Sequence, residues 1–121
     1  MVDRKRRLDC ANGIRKADIV LKHGKVLNVF TEEILEADVA ICGDTIVGVG
    51  SYEGEREIDC TGKYLVPGFL DAHMHIESSM VSPGELTKVL VQAGTTTIVA
   101  DPHEIVNVCG VKGMDYFLKC A

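Results

Sequence analysis

The most informative part of the sequence for the fold is VPGFLDAHMH, residues 66–75. Its apolar run passes through Pro67-Gly68 and ends in two histidines. The Pro-Gly pair predicts a kink or bulge, and the continuous apolar residues after it predict a buried strand of a parallel sheet. His73 and His75 are two positions apart, so on a strand their side chains lie on one face. Two neutral imidazoles placed in this way can bind one divalent metal.

A helix and a second strand follow this segment. Ser82 and Glu85 predict a capping box, and Pro83 between them suits the first helical position. The apolar residues of this helix share one face at Leu86, Val89, Leu90 and Ala93. Gly94 ends the helix, and residues 95–100, TTTIVA, predict a β-branched strand. Strand, helix and strand form a βαβ unit, whose two strands are expected to be parallel with a right-handed crossover.

Polar residues follow both predicted strands. The two histidines close the first strand, and residues 101–104, DPHE, come directly after the second. The carboxyl ends of parallel strands meet at one edge of the sheet, where barrels and open α/β sheets hold their active sites. Asp101, His103 and Glu104 are therefore expected beside the histidine pair. We predict a metal site at the pair and catalytic roles for His103 and Glu104.

Each of these predictions has a plainer alternative. The two metal-site histidines would otherwise be a hydrogen-bonded structural pair, and His103 with Glu104 would be a capped turn ahead of a helix. Asp71 and Asp101 are candidates to orient a ligand histidine through a hydrogen bond without touching the metal. For Asp71, an ordinary turn or strand-end carboxylate is an equal alternative.

The residues before position 64 predict a separate, strand-rich unit. Most of its short apolar stretches are separated by Gly-containing turns, among them His23-Gly24. These stretches are residues 17–22, 25–30, 36–42 and 45–49. Such spacing indicates a small antiparallel β unit. A short helix is predicted at residues 4–11, and the start of another helix at residues 113–121.

Composition and charge exclude several classes of protein. The chain has 121 residues, 46% hydrophobic and 26% charged, which is typical of a globular protein. It is shorter than the roughly 200 residues of a complete eight-stranded α/β barrel. Beyond a basic run at residues 4–7 the chain is acidic, which argues against nucleic-acid binding. Five scattered cysteines without a C-x-x-C pair favour reduced thiols in the cytoplasm, and no apolar run approaches the ~18 residues of a membrane span.

The decisive stretch resembles a known motif. Residues 66–75 are similar to the P-G-h-h-D-x-H-x-H pattern on the first barrel strand of the amidohydrolase superfamily. Residues 76–80, IESSM, and residues 94–105, GTTTIVADPHEI, resemble the adenine deaminase family more narrowly. Residues 17–50 are also similar to the small β domain of that family.

The resemblance implies a metal-dependent hydrolysis of adenine to hypoxanthine and ammonia, as in purine salvage. It implies a divalent metal, iron or manganese with zinc as an alternative, usually in a two-metal site. By resemblance, His73 and His75 bind the first metal, and His103 and Glu104 belong to a motif near the site. The expected protein is cytoplasmic, binds adenine, forms homo-oligomers at full length, and has no nucleic-acid or membrane partner.

The remaining metal ligands of the superfamily lie on later barrel strands: a bridging carboxylate or modified lysine, two more histidines and an aspartate. We therefore expect an α/β chain with a β-sandwich-like unit followed by the first βαβ portion of an incomplete (β/α)8 TIM-type barrel. The expected domains are residues 1–15 as a helical extension, 16–63 as the small β domain, and 64–121 as the truncated barrel domain. Such a chain alone is expected to be inactive and poorly stable, with exposed apolar surface.

Two other functions fit the sequence. Another amidohydrolase, such as a cyclic amide hydrolase or a deacetylase, would share the H-x-H motif, although the long 94–105 motif favours the deaminase. A short non-catalytic metal-binding module, or one half of a split enzyme, would suit the length of the chain. The sequence lacks a dinucleotide-binding glycine motif, a P-loop and a serine-nucleophile elbow.

Overall fold

Two structural units divide the chain after Pro67. The computed structural model describes residues 3–120, so the first two residues of the predicted extension and the last residue of the predicted barrel segment lie outside the described residues. The first unit comprises α1 (Arg4–Ala11), β1 (Ala17–Asn28), β2 (Glu33–Cys42), β3 (Thr45–Gly50), β4 (Gly54–Asp59) and β5 (Tyr64–Leu65). The second comprises β6 (Phe69–Met74), a 3₁₀ turn (Ile76–Ser79), α2 (Pro83–Gln92), β7 (Thr95–Ala100), α3 (His103–Cys109) and α4 (Val111–Cys120).

The strands of the first unit form one mixed sheet. Its order is β3-β2-β1-β4, and β5 also pairs with β1. The β1–β2 and β2–β3 pairs are antiparallel, whereas β4 and β5 run parallel to β1. The antiparallel pairing predicted for residues 17–49 is confirmed, but β4 and β5 extend it in parallel, so the described residues of this unit form one mixed sheet and not the expected sandwich-like arrangement. No strand is predicted at β4, because GEREID is mostly polar, and four of its six residues face solvent.

The predicted turn at His23-Gly24 is instead a bulge inside a continuous β1. The pairing of β1 with β2 shifts register between Leu21 and Gly24, and His23 has a φ of +57°. A bulge inserts an unpaired residue into one strand and leaves main-chain groups that need other partners. A carboxylate on the neighbouring strand supplies one of these partners.

That carboxylate belongs to Asp38, which is only 6% exposed. Its Oδ1 accepts the main-chain N–H of His23 at 3.0 Å, and its Oδ2 accepts Lys22 Nζ at 2.6 Å and the N–H of Tyr52 at 3.2 Å. Burial alone would raise the pKa of the Asp38 carboxyl, but these three donors outweigh burial and hold that pKa below its ordinary value. The hydrogen bond between Lys22 and Asp38 also raises the pKa of the Lys22 ammonium.

Small apolar side chains form the core of the first unit. Ala17, Val20 and Ala40 are buried together, and Tyr52 packs against them. The Tyr52 hydroxyl donates to the main-chain oxygen of Ala11 at 3.1 Å, which ties the end of α1 to this core. The helix itself spans the predicted residues 4–11.

The second unit contains the predicted βαβ arrangement. Strands β6 and β7 are parallel and adjacent, and α2 connects them. Pro83 is the first residue of α2, as predicted, but the Ser82 side chain makes no capping hydrogen bond. The capping-box prediction is wrong because the Glu85 carboxylate pairs with Lys88 Nζ at 2.6 Å instead. Helix α4 begins at Val111, two residues before the predicted start.

Strand β6 is less buried than its apolar sequence predicts. Phe69 is 59% exposed and Leu70 is 68% exposed, because among residues 3–120 this strand pairs with β7 alone. Residues 66–68 interrupt the strand structure between β5 and β6, as the Pro-Gly pair predicts. Gly68 is required there, since a Cβ at this position would collide with the side chain of Thr96. The expected exposed apolar surface is present.

None of the helices within residues 3–120 is both long enough and apolar enough to cross a bilayer.

Replacing Asp38 with Asn should destabilise the first unit. The substitution removes the anion facing Lys22 and leaves a half-buried ammonium unpaired, which costs roughly 2–4 kcal/mol. Asp44→Asn is the matched control, because Asp44 pairs with Arg7 on the surface and its side chain is 74% exposed. Urea unfolding followed by circular dichroism measures the free energy of unfolding of both variants. Equal unfolding free energies for the two variants would contradict the role assigned to Asp38.

The stability difference between the wild type and Asp38→Asn should depend on pH at both ends. A lowered carboxyl pKa contributes stability that is complete above about pH 4 and is lost as the pH falls through the folded-state pKa. A raised ammonium pKa contributes stability that is complete below about pH 10 and is lost as the pH rises through the folded-state value. The difference in unfolding free energy is therefore expected to form a plateau between these limits. A difference in unfolding free energy that does not change with pH would contradict the pKa shifts assigned to Asp38 and Lys22.

Candidate metal centre

The predicted site residues come together at the carboxyl ends of β6 and β7. His73 is the second-last residue of β6, and His75 directly follows that strand. His103 is the first residue of α3, which two residues separate from the end of β7. The main-chain N–H of Asp101 donates to the oxygen of Met74 at 2.9 Å, which continues the pairing one residue beyond the end of β7. The parallel register thus places residues 26 positions apart side by side.

The two histidines of the H-x-H motif face each other. Their Nε2 atoms are 3.2 Å apart, and their ring centroids are 4.8 Å apart in an edge-on arrangement. His75 Nδ1 lies 2.9 Å from the main-chain oxygen of Asp101. Because a carbonyl only accepts hydrogen bonds, Nδ1 carries the proton and Nε2 of the neutral ring keeps its lone pair. This tautomer is the one that binds a metal through Nε2.

His103 is held by the side chain of the same aspartate. Its Nδ1 donates to Asp101 Oδ2 at 3.1 Å, which leaves the Nε2 of the neutral ring as an acceptor. The hydrogen bond from His103 lowers the pKa of the Asp101 carboxyl, so this carboxylate stays ionised at neutral pH. The rings of His75 and His103 lie 4.7 Å apart, edge to face. Asp101 therefore contacts one histidine with its main chain and another with its side chain.

Asp71 does not contact an imidazole in this structure. Its Oδ1 accepts the main-chain N–H of His73 at 3.0 Å. This contact fits the strand-end alternative, because the carboxylate fixes the backbone at the end of β6. A role of Asp71 in orienting a ligand histidine stays a prediction.

A second set of contacts joins the 3₁₀ turn to α3. Glu77 Oε1 accepts the main-chain N–H of Ile105 at 3.0 Å, and Ser78 Oγ donates to Glu104 Oε1 at 3.3 Å. From the sequence alone Ser78 is equally a loop hydrogen-bonder or a substrate contact, and Glu77 has no firm role, although both lie in the IESSM segment. Their partners are 26 to 28 residues away, so no local pattern reveals these contacts. They hold Glu104 close to the histidines.

Two groups of side chains have donor atoms close enough to hold an ion. One is His73, His75 and Asp101, and the other is His75, His103 and Glu104, with the donor atoms of each group within 4.8 Å of one another. Both groups include His75, whose Nδ1 is already bound to a carbonyl. A single free nitrogen binds a single cation, so the groups are alternatives for one ion. Imidazole and carboxylate donors suit zinc, iron and manganese, and the residues present fit such a metal.

Comparison with known proteins agrees with this geometry. Residues 64–121 match the amidohydrolase family, and the chain is 52% identical over 113 residues to an adenine deaminase of Clostridium acetobutylicum. That alignment covers 93% of this chain and 20% of the relative, so the chain spans about a fifth of the length of the curated relatives it matches. The predicted resemblance to adenine deaminases is confirmed over nearly the whole chain.

Solved amidohydrolase structures share the fold. A D-aminoacylase studied for its binuclear metal center is 32% identical with a TM-score of 0.60, over 69% of this chain and 18% of that one. An N-acyl-D-glutamate deacylase from Bordetella bronchiseptica, complexed with zinc and a phosphonate inhibitor, is 26% identical with a TM-score of 0.59. That match covers 71% of this chain and 19% of the deacylase. The α/β fold class is confirmed by these neighbours.

Replacing His75 with Ala should weaken binding of Mn²⁺ or Zn²⁺ by roughly tenfold or more, because His75 belongs to both donor groups. Isothermal titration of the purified chain measures the affinity. His103→Ala separates the two groups, since His103 belongs only to the second. His23→Ala is the control, because that exposed histidine lies in the bulge of the other unit. An unchanged affinity for His75→Ala would refute the assignment.

Proposed function

We propose that this chain is the N-terminal portion of a metal-dependent adenine deaminase, which hydrolyses adenine to hypoxanthine and ammonia in purine metabolism. The observation that carries the proposal is the facing pair of Nε2 atoms at the ends of two parallel strands. The identity to adenine deaminases across 93% of the chain supports the substrate. The first line rests on geometry and the second on sequence comparison.

His73 and His75 would hold the metal through Nε2. The main-chain oxygen of Asp101 keeps His75 in the required tautomer. A divalent cation there supplies the Lewis acidity that makes water acidic enough to react near neutral pH. Manganese or iron is the proposed metal, with zinc as the alternative, since a related deacylase structure contains zinc.

His103 and Glu104 would carry the protons of the reaction. Hydrolytic deamination adds water to C6 of the purine and must deliver a proton to the departing amine. His103 is suited to this task because Asp101 binds its Nδ1–H and leaves Nε2 able to accept a proton and give it back. Glu104 lies near His103 and His75, with donor atoms within 4.8 Å of one another, a separation that one bridging water would span for proton transfer.

We infer that the 121-residue chain alone is inactive. A catalytic zinc-type site ordinarily uses three protein ligands and keeps an open position, and the two histidines need a third ligand. Asp101 is already engaged by His103, which makes it a poor substitute. The full-length enzyme is proposed to be cytoplasmic and homo-oligomeric, with no nucleic-acid or membrane partner.

A second function within the family has one observation in its favour. The similar solved structures include aminoacylases and a hydantoinase, which act on other C–N bonds. Their identity to this chain is 32% or lower, whereas the adenine deaminase is 52% identical. The difference favours deamination, and substrate assays separate the two.

The decisive assay uses the natural protein that contains these residues, purified with Mn²⁺. Ammonia release from adenine should exceed hydrolysis of N-acyl-D-amino acids and hydantoins, and His103→Ala should lower kcat by roughly 10²–10⁴-fold. His23→Ala should leave kcat unchanged. Hydrolysis of an N-acyl-amino acid in place of adenine would overturn the substrate assignment. An unchanged kcat for His103→Ala would overturn the role of that residue alone.

A further inference from the structure

Two of the five cysteines lie in contact inside the first unit. Cys10 and Cys42 are both fully buried, and their sulfur atoms are 3.6 Å apart. Cys10 lies in the last turn of α1, and Cys42 ends β2. Cys10 Sγ also lies 3.4 Å from the main-chain oxygen of Lys16. The contact therefore joins the N-terminal helix directly to the sheet.

One carboxylate holds the two cysteine-bearing segments together. Asp18 accepts a hydrogen bond from Arg6 on α1, and its Oδ2 accepts the main-chain N–H of Gly43 at 2.7 Å. Gly43 is the residue next to Cys42, so Asp18 anchors both sides of the sulfur contact. Arg7 adds a further ion pair across the same junction, to Asp44 at 3.1 Å. The thiols are thus held close by contacts that do not involve sulfur.

We propose that Cys10 and Cys42 form a site of reversible oxidation, at which a peroxide converts the two thiols into an intramolecular disulfide. A disulfide needs the sulfur atoms about 2.05 Å apart, so each must approach by less than about 1 Å from the observed contact.

The reaction balances with one peroxide. One cysteine thiolate attacks an oxygen of hydrogen peroxide, breaks the O–O bond and becomes a sulfenic acid, while water leaves with the thiol proton. The second thiol then attacks that sulfur, forms the S–S bond and releases a second water. The two sulfur atoms lose two electrons in total, and the two peroxide oxygens gain them.

Burial of the two thiols slows their reaction with peroxide, whereas their contact speeds the formation of the disulfide that follows. Burial, followed by the neighbouring Cys42 thiol, raises the pKa of Cys10, so little thiolate is present at neutral pH. The resolving thiol is already in contact with the attacking one, so a sulfenic acid at either position is captured at once. Cys60 is also buried, and no other cysteine sulfur lies within hydrogen-bonding distance of it among residues 3–120.

The test oxidises the purified chain in a Cys109→Ser, Cys120→Ser background, which removes the two cysteines of the second unit. Hydrogen peroxide treatment, alkylation and mass spectrometry should show a loss of about 2 Da, with peptides containing Cys10 and Cys42 linked. The midpoint of thermal unfolding should rise by roughly 5–15 °C and return on reduction with dithiothreitol. The rate of formation should increase with pH.

Matched variants keep the proposal open to refutation. Cys60→Ser should form the disulfide at the unchanged rate, whereas Cys42→Ser should form none and should accumulate oxygen on Cys10. Linkage of Cys60 to either residue, or oxygen addition to Cys10 while Cys42 stays free in the parent background, would overturn the proposal. If Cys42→Ser fails to fold, the peptide map of the parent background decides between these outcomes.

Discussion

The parallel pairing of β6 with β7 is the constraint on which the candidate site depends. Two hydrogen bonds at Asp101 continue that pairing past the end of β7: its main-chain N–H donates to the Met74 oxygen, and its main-chain oxygen accepts the Nδ1 proton of the His75 side chain. The bond to Met74 sets which residue lies opposite the H-x-H motif, and the bond from His75 sets the tautomer of the His75 ring. Without this register, His75 would have no fixed partner and His103 would not face it. The site is therefore a property of strand order more than of any one side chain.

Asp101 links the metal-binding and proton-carrying parts of the proposed mechanism. Its main chain orients His75, and its ionised carboxylate orients His103. A movement of this residue would shift both rings together. The arrangement explains how a short D-x-H-E segment after a strand can serve two chemical tasks, and why the H-x-H motif by itself indicates only the superfamily.

Local patterns predicted the parts of the fold that depend on neighbours in sequence. The spacing of His73 and His75, the Pro-Gly break and the helix beginning at Pro83 all follow from positions a few residues apart. The bulge at His23 looks like a turn in the sequence, because its stabilising carboxylate lies 15 residues away on another strand. Strand β4 has no local signal, because its pairing with β1 is long-range and its sequence is polar. The capping box of Ser82 and Glu85 does not form, because the Glu85 carboxylate pairs with Lys88, and sequence does not rank the two partners.

In the proposed site, His73 and His75 bind one cation through Nε2 while His75 keeps its Nδ1 proton on Asp101. Long-range ¹H–¹⁵N NMR of the imidazole nitrogens, recorded during a Zn²⁺ titration, observes this directly. The Nε2 signals of both rings are expected to change on metal addition, and His75 Nδ1 is expected to remain protonated throughout. A His75 ring protonated on Nε2 before metal is added, or a metal bound at its Nδ1, would refute this metal-binding mode.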